Sequence, residues 1–204
     1  MRKETITFNV YQIHELTVEA KENAYNHWLN QFNYIWDYEN RKTLEQFEQI
    51  FNIKANKWSY DTDSYYYRFT SYYSKKEDNL KGIRLLKYLV NNYWTYLFVP
   101  KTIWNRSYKK KRNSRVFVTD DCVLTGYYMD YEILRPLYDF MKAPDNTTLY
   151  GLMNKCLDNF FNACKDDMAY MVSEEAFEDD CLENNSEFLL NGELYSKLIK
   201  IIDQ

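Results

Sequence analysis

The residues that could do chemistry in this chain of 204 are mostly carboxylates. Three adjacent pairs, Asp120-Asp121, Asp166-Asp167 and Asp179-Asp180, are of the type that clamps two metal ions in a hydrolytic site. Neighbours on a helix point about 100° apart, so such pairs are more often surface charge than a clamp. Asp61-x-Asp63 resembles the start of a calcium loop, but the glycine and the later glutamate are missing, which leaves a turn. His14 and His27 have no partner cysteine or acid cluster, and Cys122, Cys156, Cys164 and Cys181 form no CxxC or CxxH pair. No metal and no cofactor are expected. Glycine occurs only at 82, 126, 151 and 192, so a phosphate-cradling loop has no material, and GxSxG and HExxH are absent. The balance favours a binding protein over an enzyme.

Charge distribution says more than the net charge of −4. From Lys101 to Arg115 every charge is positive, and Trp104 and Tyr108 stand among Lys109, Lys110, Lys111, Arg112 and Arg115. Cations with interleaved aromatics suit a groove that follows a phosphate backbone, and equally a solvated loop. From Asp166 to Glu193 every charge is negative, and Glu174, Glu175, Glu178, Asp179, Asp180 and Glu183 crowd into one short stretch. Such blocks govern partner choice and association rate more than fold.

These stretches need elements to position them. Thr5–Tyr11 alternates like a half-buried strand, and Thr17 caps a helix to about Gln31 or Phe32. A second helix covers Glu39 to Phe51. Lys57–Tyr60 and Tyr65–Tyr73 form strands around Asp61–Ser64, with Tyr65, Tyr67 and Phe69 inward and Tyr66, Arg68 and Thr70 outward. Asp78 or Asn79 caps a helix that ends before Pro100, and Val116–Val118 is a short strand. Asp130 caps a helix containing Pro136, and Thr147 or Thr148 caps a long one through about Met171, with Cys156 and Cys164 on its apolar face. Ser173 caps the acidic helix; Asn191-Gly192 makes a type I′ hairpin, and Leu198 to Ile202 closes as a short helix or strand. Helices and antiparallel strands in blocks give an α+β fold, with short antiparallel sheets against a helical bundle. The expected organisation is one compact domain, with lobes 1–100 and 101–204.

Three segments, ELTVEAKENAYNHW, RFTSYY and SEEAFEDDCLENNSEFLLNGELY, together with SRVFVTDDCVLTGYYMDYEILRPLYDF, resemble a group of proteins from phages and mobile elements of low-GC bacteria. Members are labelled antitoxins of toxin–antitoxin stability systems. The resemblance supplies no catalytic residue. It implies a bacterial host cytoplasm and a protein partner, either a toxin or a host defence protein such as an RNA-guided nuclease. A chain without a signal peptide or a run of about 18 apolar residues fits a cytoplasmic setting. The expected function is a non-enzymatic inhibitor acting through the acidic stretch, with nucleic-acid binding by the basic stretch as the alternative.

Overall fold

A computed structural model of the chain describes residues 7, 9–104, 111–118 and 122–195, with the backbone alone across 100–118. In chain order the elements are β1 (Tyr11–Gln12), α1 (Val18–Leu29), α2 (Asp37–Ile50), β2 (Ile53–Tyr60), β3 (Tyr65–Ser71), α3 (Lys75–Asp78) and α4 (Gly82–Leu97). They continue with β4 (Val99–Trp104), β5 (Lys111–Val118), α5 (Met129–Lys142), α6 (Leu149–Met171), α7 (Glu174–Glu183) and β6 (Glu187–Phe188). The fold is mixed α+β, and its described strands form two-stranded antiparallel pairs. Two units separate: the first combines Met1–Tyr34 with Asp167–Gln204, and the second is Ile35–Asp166. The division therefore follows neither the 1–100 nor the 101–204 lobe.

In the second unit the β2–β3 hairpin lays its inner face on α6. Trp58 and Tyr67 meet Phe161 at ring-centroid distances of 5.8 and 5.2 Å, and Phe69 stacks on Tyr150 at 4.8 Å. Strand alternation puts these rings inward and leaves Tyr66, Arg68 and Thr70 exposed, as the sequence period requires. β2 begins four residues earlier than expected, because the Glu48 carboxylate, 6 % exposed, accepts from the Ala55 N–H (2.7 Å) and from Lys54 (2.6 Å). The hydroxyls of the tyrosines packed on this core are bonded: Tyr73 and Tyr93 to each other at 2.6 Å, Tyr60 to Asp37 at 2.9 Å. Burial holds the Tyr60, Tyr67, Tyr73 and Tyr88 phenols well above their ordinary range, so these groups pack and do not titrate.

Two helix starts differ from expectation, and that of α6 agrees with it. Ser74, not Asp78 or Asn79, makes a capping box with Glu77 around the one-turn α3, and α4 then starts after Lys81. Thr148 accepts from the Gly151 N–H at 3.1 Å and so caps α6. Asp130 is not a cap. It lies inside the first turn of α5, fully buried, and its carboxylate accepts from the N–H groups of Leu124 (2.9 Å), Thr125 (2.6 Å) and Gly126 (3.0 Å). The hydroxyls of Thr125 (2.6 Å) and Thr43 on α2 (3.0 Å) complete the set.

Pro136 sits within α5 because its missing N–H is replaced. The carbonyl left without a helical donor is that of Glu132, and Asn159 on α6 donates to it at 2.6 Å. β4 and β5 pair antiparallel from Val99↔Val118 to Trp104↔Lys111, so the strand expected at Val116–Val118 is longer.

In the first unit β1 pairs with β6, Tyr11 opposite Phe188, and α1 packs against α7. Of the Thr5–Tyr11 strand, Tyr11 is in β1, while residues 5, 6 and 8 lie outside the described residues, as do 198–202. The terminal turn is not type I′. The Gly192 N–H closes onto the Leu189 carbonyl at 2.9 Å, Leu189 donates to Glu193 at 2.8 Å, and only Gly192 has a positive φ, +85°. This is a three-residue loop ending in a left-handed glycine. A Cβ on Gly192 would meet the Ala20 carbonyl oxygen at 2.1 Å, so the turn also needs glycine to lie against α1.

Two outcomes follow. Asp130→Asn is expected to lower stability by about 3 kcal/mol, since the oxygen that takes three N–H groups loses its charge and the one that accepts from the Thr125 and Thr43 hydroxyls becomes an NH2 donor, hydrogen bonds to charged groups being worth roughly 1.5–3 kcal/mol. Urea unfolding would register it, and a loss below about 1 kcal/mol would show that the 122–128 loop holds itself. Gly192→Ala is expected to destabilise by about 2 kcal/mol or more through left-handed strain plus the clash with Ala20. An unchanged melting temperature would mean that the turn can lift off α1.

Candidate partner-binding face

The acidic face is built on α7. The Ser173 hydroxyl accepts from the Ala176 N–H at 3.1 Å, starting the helix as expected. Phe177 and Cys181, four residues apart, form the buried stripe. Phe177 wedges against Tyr25 and Trp28 of α1, with centroids 5.7 and 5.5 Å away. The Tyr25 hydroxyl donates to the Val172 carbonyl just before the helix. Burial pushes the Cys181 thiol up to about 11, so it packs as a protonated apolar group and is no nucleophile.

The helix ends in a Schellman turn. Asn185 adopts φ +48°, Ser186 donates to the Cys181 carbonyl at 2.9 Å, and Asn185 donates to the Leu182 carbonyl at 3.2 Å. Asn takes the left-handed position that glycine usually fills, and this turns the chain into β6. Asn184-Asn185 is the signal in the sequence that could have placed this stop.

All six acids proposed from the sequence, Glu174, Glu175, Glu178, Asp179, Asp180 and Glu183, are on this helix and exposed. Two are tied down. Glu178 lies 3.4 Å from Lys21, and Asp180 accepts from the Trp28 indole N–H at 3.1 Å and from Asn184 at 2.9 Å. Among the described residues, Glu174, Glu175, Asp179 and Glu183 carry no side-chain hydrogen bond or ion pair. Like charges recur four apart at Glu174 and Glu178, Glu175 and Asp179, and Asp179 and Glu183, and each such pair costs a few tenths of a kcal/mol. Lys21, Trp28 and Tyr25 are contributors that sequence reasoning left out; their helical spacing on α1 was visible, but not which helix they would face.

The charge of the whole chain conceals a partition. Residues 1–34 and 167–204 hold fourteen acidic and five basic residues, a formal −9. Residues 35–166 hold sixteen acidic and twenty-one basic, a formal +5. Among the described residues of the first unit Lys21 is the sole lysine or arginine.

Beside α7 a hollow of about 420 Å³ opens between α1, α7 and the terminal turn. Trp28, Phe177, Phe188 and Leu194 wall it, and Asp180 and Glu193 stand on its rim.

On the second unit, Trp104 faces Lys111 and Ile103 faces Arg112 along the β4–β5 ladder, and Arg115 is in β5. Tyr108, Lys109 and Lys110 lie outside the described residues. The β2–β3 hairpin gives a better-defined cationic surface. Lys57 and Arg68 are directly opposite, both exposed, and the Arg68 guanidinium sits 5.8 Å from the Tyr66 ring centre. Like charges facing each other across strands are unfavourable.

A polar cleft of about 610 Å³ in this unit is lined by Tyr65, Arg135, Asp139, Asp145, Lys155 and Asp158 among others, but its acids are engaged. Asp158 accepts from Tyr65 at 2.9 Å, and Asp139 lies 3.6 Å from Lys142. Hydrogen bonds from Thr147 hold the Asp145 carboxyl below its usual range. No group of three or more His, Cys, Asp or Glu placed to hold a metal occurs among the described residues, and the paired acids go separate ways: Asp167 accepts from Tyr34 at 2.6 Å, while Asp166 accepts from Asn162 at 2.7 Å. Asp120-Asp121 lies outside the described residues. No family model matches the chain, and neither a curated protein nor a solved structure does.

Proposed function

We propose that this protein is a non-enzymatic inhibitor that binds a bacterial defence protein, in the first place an RNA-guided nuclease, and occupies its nucleic-acid channel with the α7 face. The observation that carries the reading is the uncompensated charge of Glu174, Glu175, Asp179 and Glu183 on a helix otherwise pinned to α1. Six acids over ten residues span about 15 Å of helix axis, roughly one charge per 2.5 Å. That density falls between one strand of DNA, about 3.4 Å per charge, and the duplex, about 1.7 Å. A basic channel that gains affinity by neutralising phosphates meets a comparable array here.

Reversing the four unpaired acids together to lysine is the test; it breaks no hydrogen bond among the described residues, and the milder set Glu174→Gln and Glu175→Gln with Asp179→Lys and Glu183→Lys spares the helix N-terminus from positive charge. Against a panel of purified RNA-guided nucleases, the unaltered chain is expected to suppress DNA cleavage. The quadruple variant is expected to lose at least about a hundredfold in affinity, the order lost when several charge contacts go. Circular dichroism should be unchanged. Equal inhibition by both chains would remove the acidic face from the mechanism.

A second reading, nucleic-acid binding by the second unit, is favoured by one observation: Lys57 and Arg68 face each other with no ion pair to an acid among the described residues, next to the exposed ring of Tyr66. A phosphate there would relieve the repulsion, and the ring offers a stacking surface. Binding of single-stranded DNA at low salt is expected to weaken about tenfold or more in Lys57→Glu with Arg68→Glu. No retardation of the unaltered chain in the same buffer would end this reading.

A further inference from the structure

We infer that the hollow beside α7 receives an apolar side chain from a basic segment of the protein partner, so that the acidic face recognises a cationic amphipathic chain and not positive charge alone. The inference rests on the proposed use of the α7 face and names what that face would take.

The hollow is concave and carbon-lined, with Trp28, Phe177, Phe188 and Leu194 as its walls. Apolar concavities with a few convergent polar groups are the ordinary form of a binding pocket. Its walls are fixed before any partner arrives. The Trp28 ring is held by the bond from its indole N–H to Asp180 and by its contact with Phe177, and Phe188 is fixed in the β1–β6 pair. Gly192 lies against the Ala20 carbonyl, so the turn carrying Leu194 has one seat on α1. Little ordering is left to oppose binding.

Charge selects the occupant. Both polar groups at the rim that carry full charge, Asp180 and Glu193, are negative, and the rim is continuous with the exposed acids of α7. Among the described residues of this unit Lys21 is the one lysine or arginine, and it is committed to Glu178. A neutral apolar ligand would gain nothing from the negative charge of Glu193 and of the neighbouring α7 acids, and an acidic one would be repelled. An apolar side chain flanked by lysine or arginine satisfies both parts, with the aliphatic stems of the basic residues crossing the Trp28 edge. Protein interfaces concentrate their affinity in such central apolar anchors, surrounded by a polar rim.

The test uses the full chain with nitrogen-15 in its tryptophan side chains and two synthetic helical peptides. One has leucines at helical spacing on a lysine background; the other has serine at each leucine, with the same charge. The Trp28 indole N–H signal is identified by its loss in Trp28→Phe. The leucine peptide is expected to bind at least about tenfold more tightly, the effect of burying one leucine, and to shift the Trp28 signal. Equal affinities with an unmoved Trp28 signal would overturn the inference and leave the acidic face as a pure charge surface. Binding of neither peptide would overturn both this inference and the proposed use of α7. A Trp28 signal that moves with protein concentration alone, together with a dimer in sedimentation, would overturn it in favour of a second copy in the hollow.

Discussion

The second unit depends on one buried carboxylate. Asp130 sits where α2, the 122–128 loop and α5 converge, and its two oxygens accept five hydrogen bonds, three of them from consecutive backbone N–H groups. Without it those half-buried N–H groups would lose a charged acceptor, and hydrogen bonds to charged groups are worth roughly 1.5–3 kcal/mol. The loop therefore follows the carboxylate, and α5 is brought in with Ile133, Leu134 and Leu137 fully buried in the core. Asn159 then supplies the donor that Pro136 removes, which ties α6 to the same helix. The aromatic face of the β2–β3 hairpin closes over α6.

The first unit makes the opposite arrangement with charge. Its acidic helix is stabilised at the N-terminus by the Ser173 cap and by Glu174 and Glu175 near the positive end of the dipole. Further along, the same chemistry works against it: Asp179, Asp180 and Glu183 approach the negative end, where cations would be favoured. Helical order is kept by the Phe177 and Cys181 stripe packed on Tyr25 and Trp28, which offsets the repulsion. A sequence that violates a local rule and compensates by packing usually does so where function asks for it. α7 is the clearest such place among the described residues.

Much of this could be read from the sequence because local rules decided it. Thr17 and Ser173 cap helices, the alternation in Tyr65–Ser71 sorts inner from outer rings, and Cys156 and Cys164 share a buried face. Asp130 was misassigned because an aspartate before an apolar stripe looks the same as a cap whether it serves its own helix or a distant loop. Asn191-Gly192 was read as a two-residue turn because the dipeptide does not reveal that Ala20 occupies the space beside Gly192. The six acids were legible as a cluster. The hollow beside them was not, since it is assembled from residues between positions 24 and 194. Long-range placement, which no local pattern encodes, accounts for these three, whereas the Ser74–Glu77 capping box and the Asn184-Asn185 stop were local signals.

The charge partition bears on which reading of function is favoured. A formal −9 on one unit and +5 on the other would, in a chain selected only for solubility, be an odd way to reach −4, since interspersed signs serve that end with less self-repulsion. Segregated charge instead sets up fields that orient an encounter and raise its rate. A formal −9 disfavours polyanions and favours cationic surfaces. The basic unit behaves the other way round. On the proposed use of the α7 face, the apolar hollow would add what charge lacks: shape, and with it a means of choosing among basic surfaces.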